Sequence, residues 1–174
     1  NGAILDNSME IDNLPYELPN SLLRNEGNCT YTDVSREAGK SFTSPLAHRG
    51  AAFGDFNNDG RIDIVTTGLN AKSELFINRT ANDHHWLIVR LIGKKSNRDG
   101  LGARLKLTAG KVVQYNHATT SVGYSSSSDR RVHFGLGSES KPATLEIIWP
   151  GGAIQTMTGI KVDQVVTVIE SAER

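Results

Sequence analysis

The chain has 174 residues, with 19 Lys and Arg balanced by 19 Asp and Glu, so its formal net charge is zero. That balance excludes the basic footprint of a nucleic-acid-binding domain, and no apolar run approaches the ~20 residues a membrane-spanning helix needs. Hydrophobic residues make up 37% but aromatics only 6%, and Gly occurs 17 times; a core of Val, Ile, Leu and Thr with frequent turns favours β-structure over a helical bundle.

The opening Asn1-Gly-Ala-Ile-Leu-Asp6 lacks the basic start and apolar stretch of a signal peptide and does not resemble a natural start. It reads as the beginning of a mature product or of a fragment. Residues 1–50 are polar and punctuated by Pro15, Pro19 and Pro45. Short strands are expected near Ser21–Arg24 and Thr30–Val34, with a helical turn at Ser35–Gly39 capped by Ser35 and ended by Gly39. Cys29 is the only cysteine, which excludes a disulfide framework. Asn28-Cys-Thr30 and Asn78-Arg-Thr80 are sequons that would carry glycans on surface loops in a eukaryotic secreted protein.

From Arg49 the texture changes. Gly50–Gly54 reads as a short buried strand, Ile62–Thr67 as a β-branched strand, and Glu74–Asn78 as another. Ser21-Leu-Leu-Arg-Asn25 and Glu74-Leu-Phe-Ile-Asn78 are alike, and 78 − 25 gives a spacing of 53, a period that suits a four-stranded propeller blade. Ala81-Asn-Asp83 is a polar break that divides the chain into 1–82 and 83–174. Beyond it, strands are expected at 86–92, 103–108, 111–119, 131–134, 144–149, 154–157 and 165–169. Turn signals at Asp99-Gly100, Ala109-Gly110, Gly135-Leu-Gly137 and Pro150-Gly-Gly152 separate many of them, and Leu105, Leu107, Leu145 and Ile147 alternate with period two. The fold class expected is all-β: a partial propeller-like blade with a calcium loop, then a small β-sandwich or open barrel.

The segment Asp55-Phe-Asn57-Asn-Asp59-Gly60-Arg61-Ile-Asp63 carries the chemistry. Asp or Asn stands at positions 1, 3, 5 and 9, and Gly60 at position 6 permits a sharp turn. Asp55, Asn57, Asp59, Asp63 and the carbonyl of Arg61 would supply the oxygen ligands that calcium prefers over the smaller octahedral shell of magnesium. Position 12 is Thr66 rather than the bidentate Glu of an EF-hand, and no flanking helices are visible. The competing reading is an Asx-rich hairpin turn held by side-chain to backbone bonds, in which three carboxylates would repel one another.

These residues resemble a family. Leu22–Asn25, Tyr31–Ser35, Ala38-Gly39, Arg49–Gly60 and Leu75–Asn78 are similar to FG-GAP/VCBS repeats of integrin-type β-propellers. His85-Trp-Leu87, Ser96–Arg104, Gly123–Ser125, His133–Gly137, Trp149–Gly152 and Gln155 resemble the ASPIC/UnbV domain. The resemblance is to the cartilage acidic protein family. It implies calcium-stabilised blades followed by a small β-domain in a secreted, cell-surface or periplasmic protein, and it places the ligands on Asp55, Asn57, Asp59, Arg61 and Asp63. The Gly-Ala-Pro part of the repeat is absent, and this length cannot close a propeller. The remaining blades are therefore expected in a longer chain.

Other chemistry is weaker. His84 and His85 are adjacent and would face opposite sides of a strand; His133 reads as packed against a backbone partner. Ser125–Ser128 with Asp129 and His133 reads as a turn rather than a triad, and Trp86, Trp149, Tyr115 and Tyr124 read mainly as core. The function expected is a non-enzymatic calcium-binding module for adhesion or ligand binding, its partner a protein or carbohydrate. The alternatives are a carbohydrate-binding accessory domain of a secreted enzyme and, less favoured, a glycosidase using Asp55 and Asp63.

Overall fold

The computed structural model describes residues 7–171. The first six residues, and the reading of them as neither leader nor natural start, lie outside the described residues. The chain forms two compact units. One comprises residues up to Ala52, Ile64–Phe76 and Gly123–Ser125; the other comprises Phe53–Asp63, Ile77–Val122 and the residues from Ser126 onward.

In the first unit a five-residue helix, α1 (Ser8–Asp12), precedes a hairpin of β1 (Leu23–Gly27) and β2 (Thr30–Asp33). Asn28 and Cys29 turn the hairpin with φ of 50° and 61°, the two positive angles of a type I′ turn. The expected helical turn is a 3₁₀ helix, Ser35–Ala38. Ser35 does not cap it. Its Oγ accepts the Leu22 N–H at 2.8 Å and bonds Asp33, and that bond, with the Ser35 N–H, holds the Asp33 carboxyl below its usual range. β3 (His48–Gly54), β4 (Asp63–Gly68) and β5 (Glu74–Phe76) form a three-stranded sheet with β4 central. Phe42 packs edge-on to Phe76 at 5.3 Å, and buried His48 bonds Glu74 at 2.8 Å.

The second unit is a β-sandwich. Its strands are β6 (His85–Ile92), β7 (Arg104–Ala109), β8 (Val112–His117), β9 (Val132–Gly137), β10 (Ala143–Ile148), β11 (Ile154–Ile160) and β12 (Gln164–Ile169). One sheet runs β11-β10-β7-β8, antiparallel throughout; the other runs β12-β6-β9, with β12 parallel to β6. The period-two pattern explains the core. Leu107 faces Leu145 and Leu105 faces Ile147 across β7 and β10, so both pairs point inward. They meet Leu87, Val89, Leu91, Val132 and Phe134 of the other sheet. Each such side chain contributes about 1.5–3 kcal/mol on burial. Trp149 is 1% exposed, and its Nε1 donates to Gln155 Oε1 at 3.1 Å.

Carboxylates lock β12 to β6 at both ends. Asp163, at φ 59°, accepts the Trp86 N–H and bonds His85 Nδ1 at 2.7 Å. Glu170, 2% exposed, accepts the N–H groups of Lys94, Lys95 and Ser96 at 2.7, 2.7 and 2.8 Å and the Ser96 hydroxyl at 2.8 Å. Across the other edge, Gln114 and Asn116 of β8 donate to the Gly135 and His133 carbonyls of β9. Among the described residues no helix is long and apolar enough to cross a membrane.

Candidate metal loop

The acidic loop joins β3 to β4 and belongs to the second unit. Asp55 and Asp63 are buried at 3% and 0% exposure, Asp59 is half-buried, and Asn57 is exposed. Asp55 Oδ1 accepts the Asp59 N–H at 3.1 Å and Oδ2 the Gly60 N–H at 2.8 Å. Asp63 Oδ2 accepts the Phe56 N–H at 2.9 Å and Oδ1 the Asn78 N–H at 2.8 Å. The two carboxylates thereby hold both stems and the turn, while Gly60 at φ 86° and Asn58 at φ 58° supply the left-handed positions.

Asp59 is held differently. Its Oδ1 accepts the Arg61 N–H at 2.9 Å; its Oδ2 takes the Asn57 amide at 2.7 Å and pairs with the Arg61 guanidinium. Desolvation works against its charge, but the Arg61 N–H, the Asn57 amide and the Arg61 cation outweigh it and hold the carboxyl below its ordinary range. Arg61 Nε also donates to the Asn78 carbonyl at 2.9 Å.

Among the described residues no group of three or more His, Cys, Asp or Glu side chains converges as a ligating cluster. Each loop carboxylate is turned onto N–H groups. The donors nevertheless suit a hard cation. Asp55, Asn57, Asp59, Asp63 and the Arg61 carbonyl offer oxygen alone, and a carboxylate oxygen that accepts one N–H keeps a second lone pair. The Asp63 carboxyl group is fully buried against two backbone N–H groups, an environment in which a cation offsets desolvation. Asp59 would have to exchange the Arg61 guanidinium for the ion.

Sequence reasoning missed the platform under the loop. Arg131, which precedes β9, donates from Nη2 to the Asp55 carbonyl and from Nη1 to Asn58 Oδ1, both at 2.7 Å. Its Nε bonds Asp129 Oδ2 at 2.6 Å. The Asp129 N–H donates to the Phe53 carbonyl at 2.8 Å, and the Phe53 N–H donates to Ser128 Oγ at 3.1 Å. His133 Nε2 lies 2.7 Å from the Gly60 carbonyl, so that nitrogen carries the proton. A Cβ on Gly60 would meet Trp86 Nε1 at 2.1 Å. A cleft of about 290 Å³ lies beside these contacts, with Phe53, Ile62 and Ile88 among its lining and His117 and Arg131 among its polar groups.

The remaining candidates sort simply. His133 has the backbone partner expected of it. Ser128, Asp129 and His133 bond Phe53, Arg131 and Gly60 respectively. Trp149 lies in the core, whereas Tyr115 and Tyr124 are about three-quarters exposed, at 74% and 75%.

Residues 93–174 match the family model described as ASPIC and UnbV. The chain is similar to cartilage acidic protein 1 of Mus musculus, 40% identical over 65 residues, and to that of Homo sapiens, 40% identical over 60 residues. The Xenopus tropicalis relative is 36% identical over 64 residues. These stretches cover 37%, 34% and 37% of this chain but 10%, 9% and 10% of the relatives, so the similarity spans about a tenth of their length. The family match begins at residue 93, yet all of β6 and the acidic loop fold into the same compact unit.

Proposed function

We propose, from the ASPIC/UnbV domain over residues 93–174 and the acidic loop docked on its unit, that this chain is a calcium-stapled, non-enzymatic module of a longer extracytoplasmic protein. Its work is adhesion or ligand binding, and the region before residue 83 carries FG-GAP/VCBS-like repeat sequence of the propeller type. The observation that carries this reading is the pair of buried carboxylates, Asp55 and Asp63, held at the two stems of an Asp-x-Asn-x-Asp-Gly turn. Calcium would be held by Asp55, Asn57, Asp59, Asp63 and the Arg61 carbonyl. It would supply charge neutralisation and a fixed loop shape, not a reaction step. The name cartilage acidic protein 1, borne by the relatives, supports an extracellular setting.

The chemistry also disfavours the enzyme reading, because carboxylates committed to a cation and to backbone N–H groups are not available as acid and base. Calorimetric titration of calcium into chelator-treated protein, with elemental analysis of the native material, tests the proposal. One bound calcium per chain, lost in Asp63→Asn, is expected. Absence of both heat and bound metal refutes the staple.

A further inference from the structure

The second unit carries a basic cleft with no part in the calcium reading. Arg90 of β6, Arg98 and Asp99 of the β6–β7 loop, and Arg130 ahead of β9 line a cleft of about 290 Å³ together with Leu91 and Ile92. All three arginines are exposed. Asp99 is the one carboxylate in the lining, and it accepts Arg130 Nη1 at 2.9 Å. The cleft therefore holds two positive charges in excess, in a chain whose formal total is zero.

The loop that presents Arg98 is fixed before any ligand arrives. The Gly93 N–H donates to the Arg98 carbonyl at 2.9 Å, and the Gly100 N–H to the Asn97 carbonyl at 2.8 Å. A Cβ on Gly100 would lie 2.5 Å from Leu91 Cβ, so the loop is seated directly on β6. Glu170 fills the concave row of N–H groups at Lys94, Lys95 and Ser96. That backbone anion site is occupied from within, and an external anion is left to the arginine side chains. Their entropic cost of binding is reduced by the rigid backbone beneath them.

Planar guanidinium groups match sulfate and carboxylate oxygens in pairs. No aromatic side chain lines the cleft to stack a nucleobase. Leu91 is buried at 4% exposure, so it offers no wedge for a bilayer. We infer that this cleft binds the sulfate or carboxylate groups of an acidic glycan, with Arg90, Arg98 and Arg130 as the recognising side chains. The inference is independent of calcium at the acidic loop.

The test uses the whole chain with heparin oligosaccharide as the sulfated probe and hyaluronan as the carboxylate-only probe. Arg98→Gln and Arg130→Gln are each expected to weaken binding about three- to tenfold. Asp99→Asn is expected to strengthen it, an outcome that damage to the fold would not give. The control pair Arg104→Gln and Lys106→Gln, which removes charge from β7, should leave affinity unchanged. Arginine-dependent binding of either glycan supports the cleft, and comparison of the two assigns the anion. The inference is overturned if neither glycan binds, if the control pair loses as much as the cleft variants, or if the cleft variants melt normally and bind unchanged. Tighter arginine-dependent binding to phosphatidylserine vesicles or single-stranded DNA overturns it too.

Discussion

The Arg131 guanidinium donates to the main-chain carbonyl of Asp55 at 2.7 Å, across 76 positions of sequence. The same side chain reaches Asn58 at 2.7 Å and is oriented by Asp129 at 2.6 Å. One residue thus grips the acidic loop at its first carboxylate residue and at its turn. The loop conformation is set as much by the sandwich as by its own Asx pattern.

Arg131→Gln is therefore expected to destabilise the second unit by about 2–3 kcal/mol, since it leaves Asp129 and the Asp55 carbonyl short of a charged donor. Arg131→Lys should recover little, because an ammonium cannot span three acceptors as the planar fork does. Urea denaturation of the three proteins measures this; equal midpoints would show that the tether is idle.

Gly60→Ala tests the contact beneath the turn. The position has φ 86°, and the added Cβ would meet the Trp86 ring at 2.1 Å. Backbone strain and overpacking together should cost about 2–4 kcal/mol. Adding Trp86→Leu should recover part of that loss. Strict additivity in the double-mutant cycle would place the whole effect in the backbone.

Glu170 gives a pH prediction. The Ser96 N–H, opposed by desolvation and joined by the Ser96 hydroxyl and the Lys94 and Lys95 N–H groups, holds its carboxyl at about 2, below the ordinary 4.5. A carboxyl depressed on folding stabilises fully above its unfolded pKa and loses that contribution as pH falls through the folded one. The melting temperature should fall between pH 4.5 and about 2. Glu170→Gln should melt lower at neutral pH and show a shallower acid limb. Parallel acid limbs in the two proteins would remove Glu170 from the linkage.

Much of the sandwich was legible because burial writes itself locally. Leu105, Leu107, Leu145 and Ile147 alternate in sequence, and each occupies the inner face of β7 or β10. Asp59-Gly60 marked a turn, and Gly60 indeed takes a positive φ. The parallel pairing of β12 with β6 was not legible, because it joins segments about eighty residues apart with no local signal. The same holds for Arg131 and Glu170. Arg131 reaches the Asp55 carbonyl, and Glu170 the N–H groups of Lys94, Lys95 and Ser96, backbone atoms that carry no sequence identity to read. Loop composition announced the carboxylates, but the bond from the Asn78 N–H to Asp63 comes from outside the loop, where its Asx pattern gives no signal.

We propose that a cation completes the Asp55–Asp63 loop. The most direct measurement is urea denaturation of wild type and Asp63→Asn, each in saturating calcium and in excess chelator. Wild type is expected to gain about 2.7 kcal/mol at calcium near one hundred times its dissociation constant, and Asp63→Asn is expected to gain nothing. Identical wild-type curves with calcium and with chelator would contradict the claim and leave the loop as an Asx-stabilised turn.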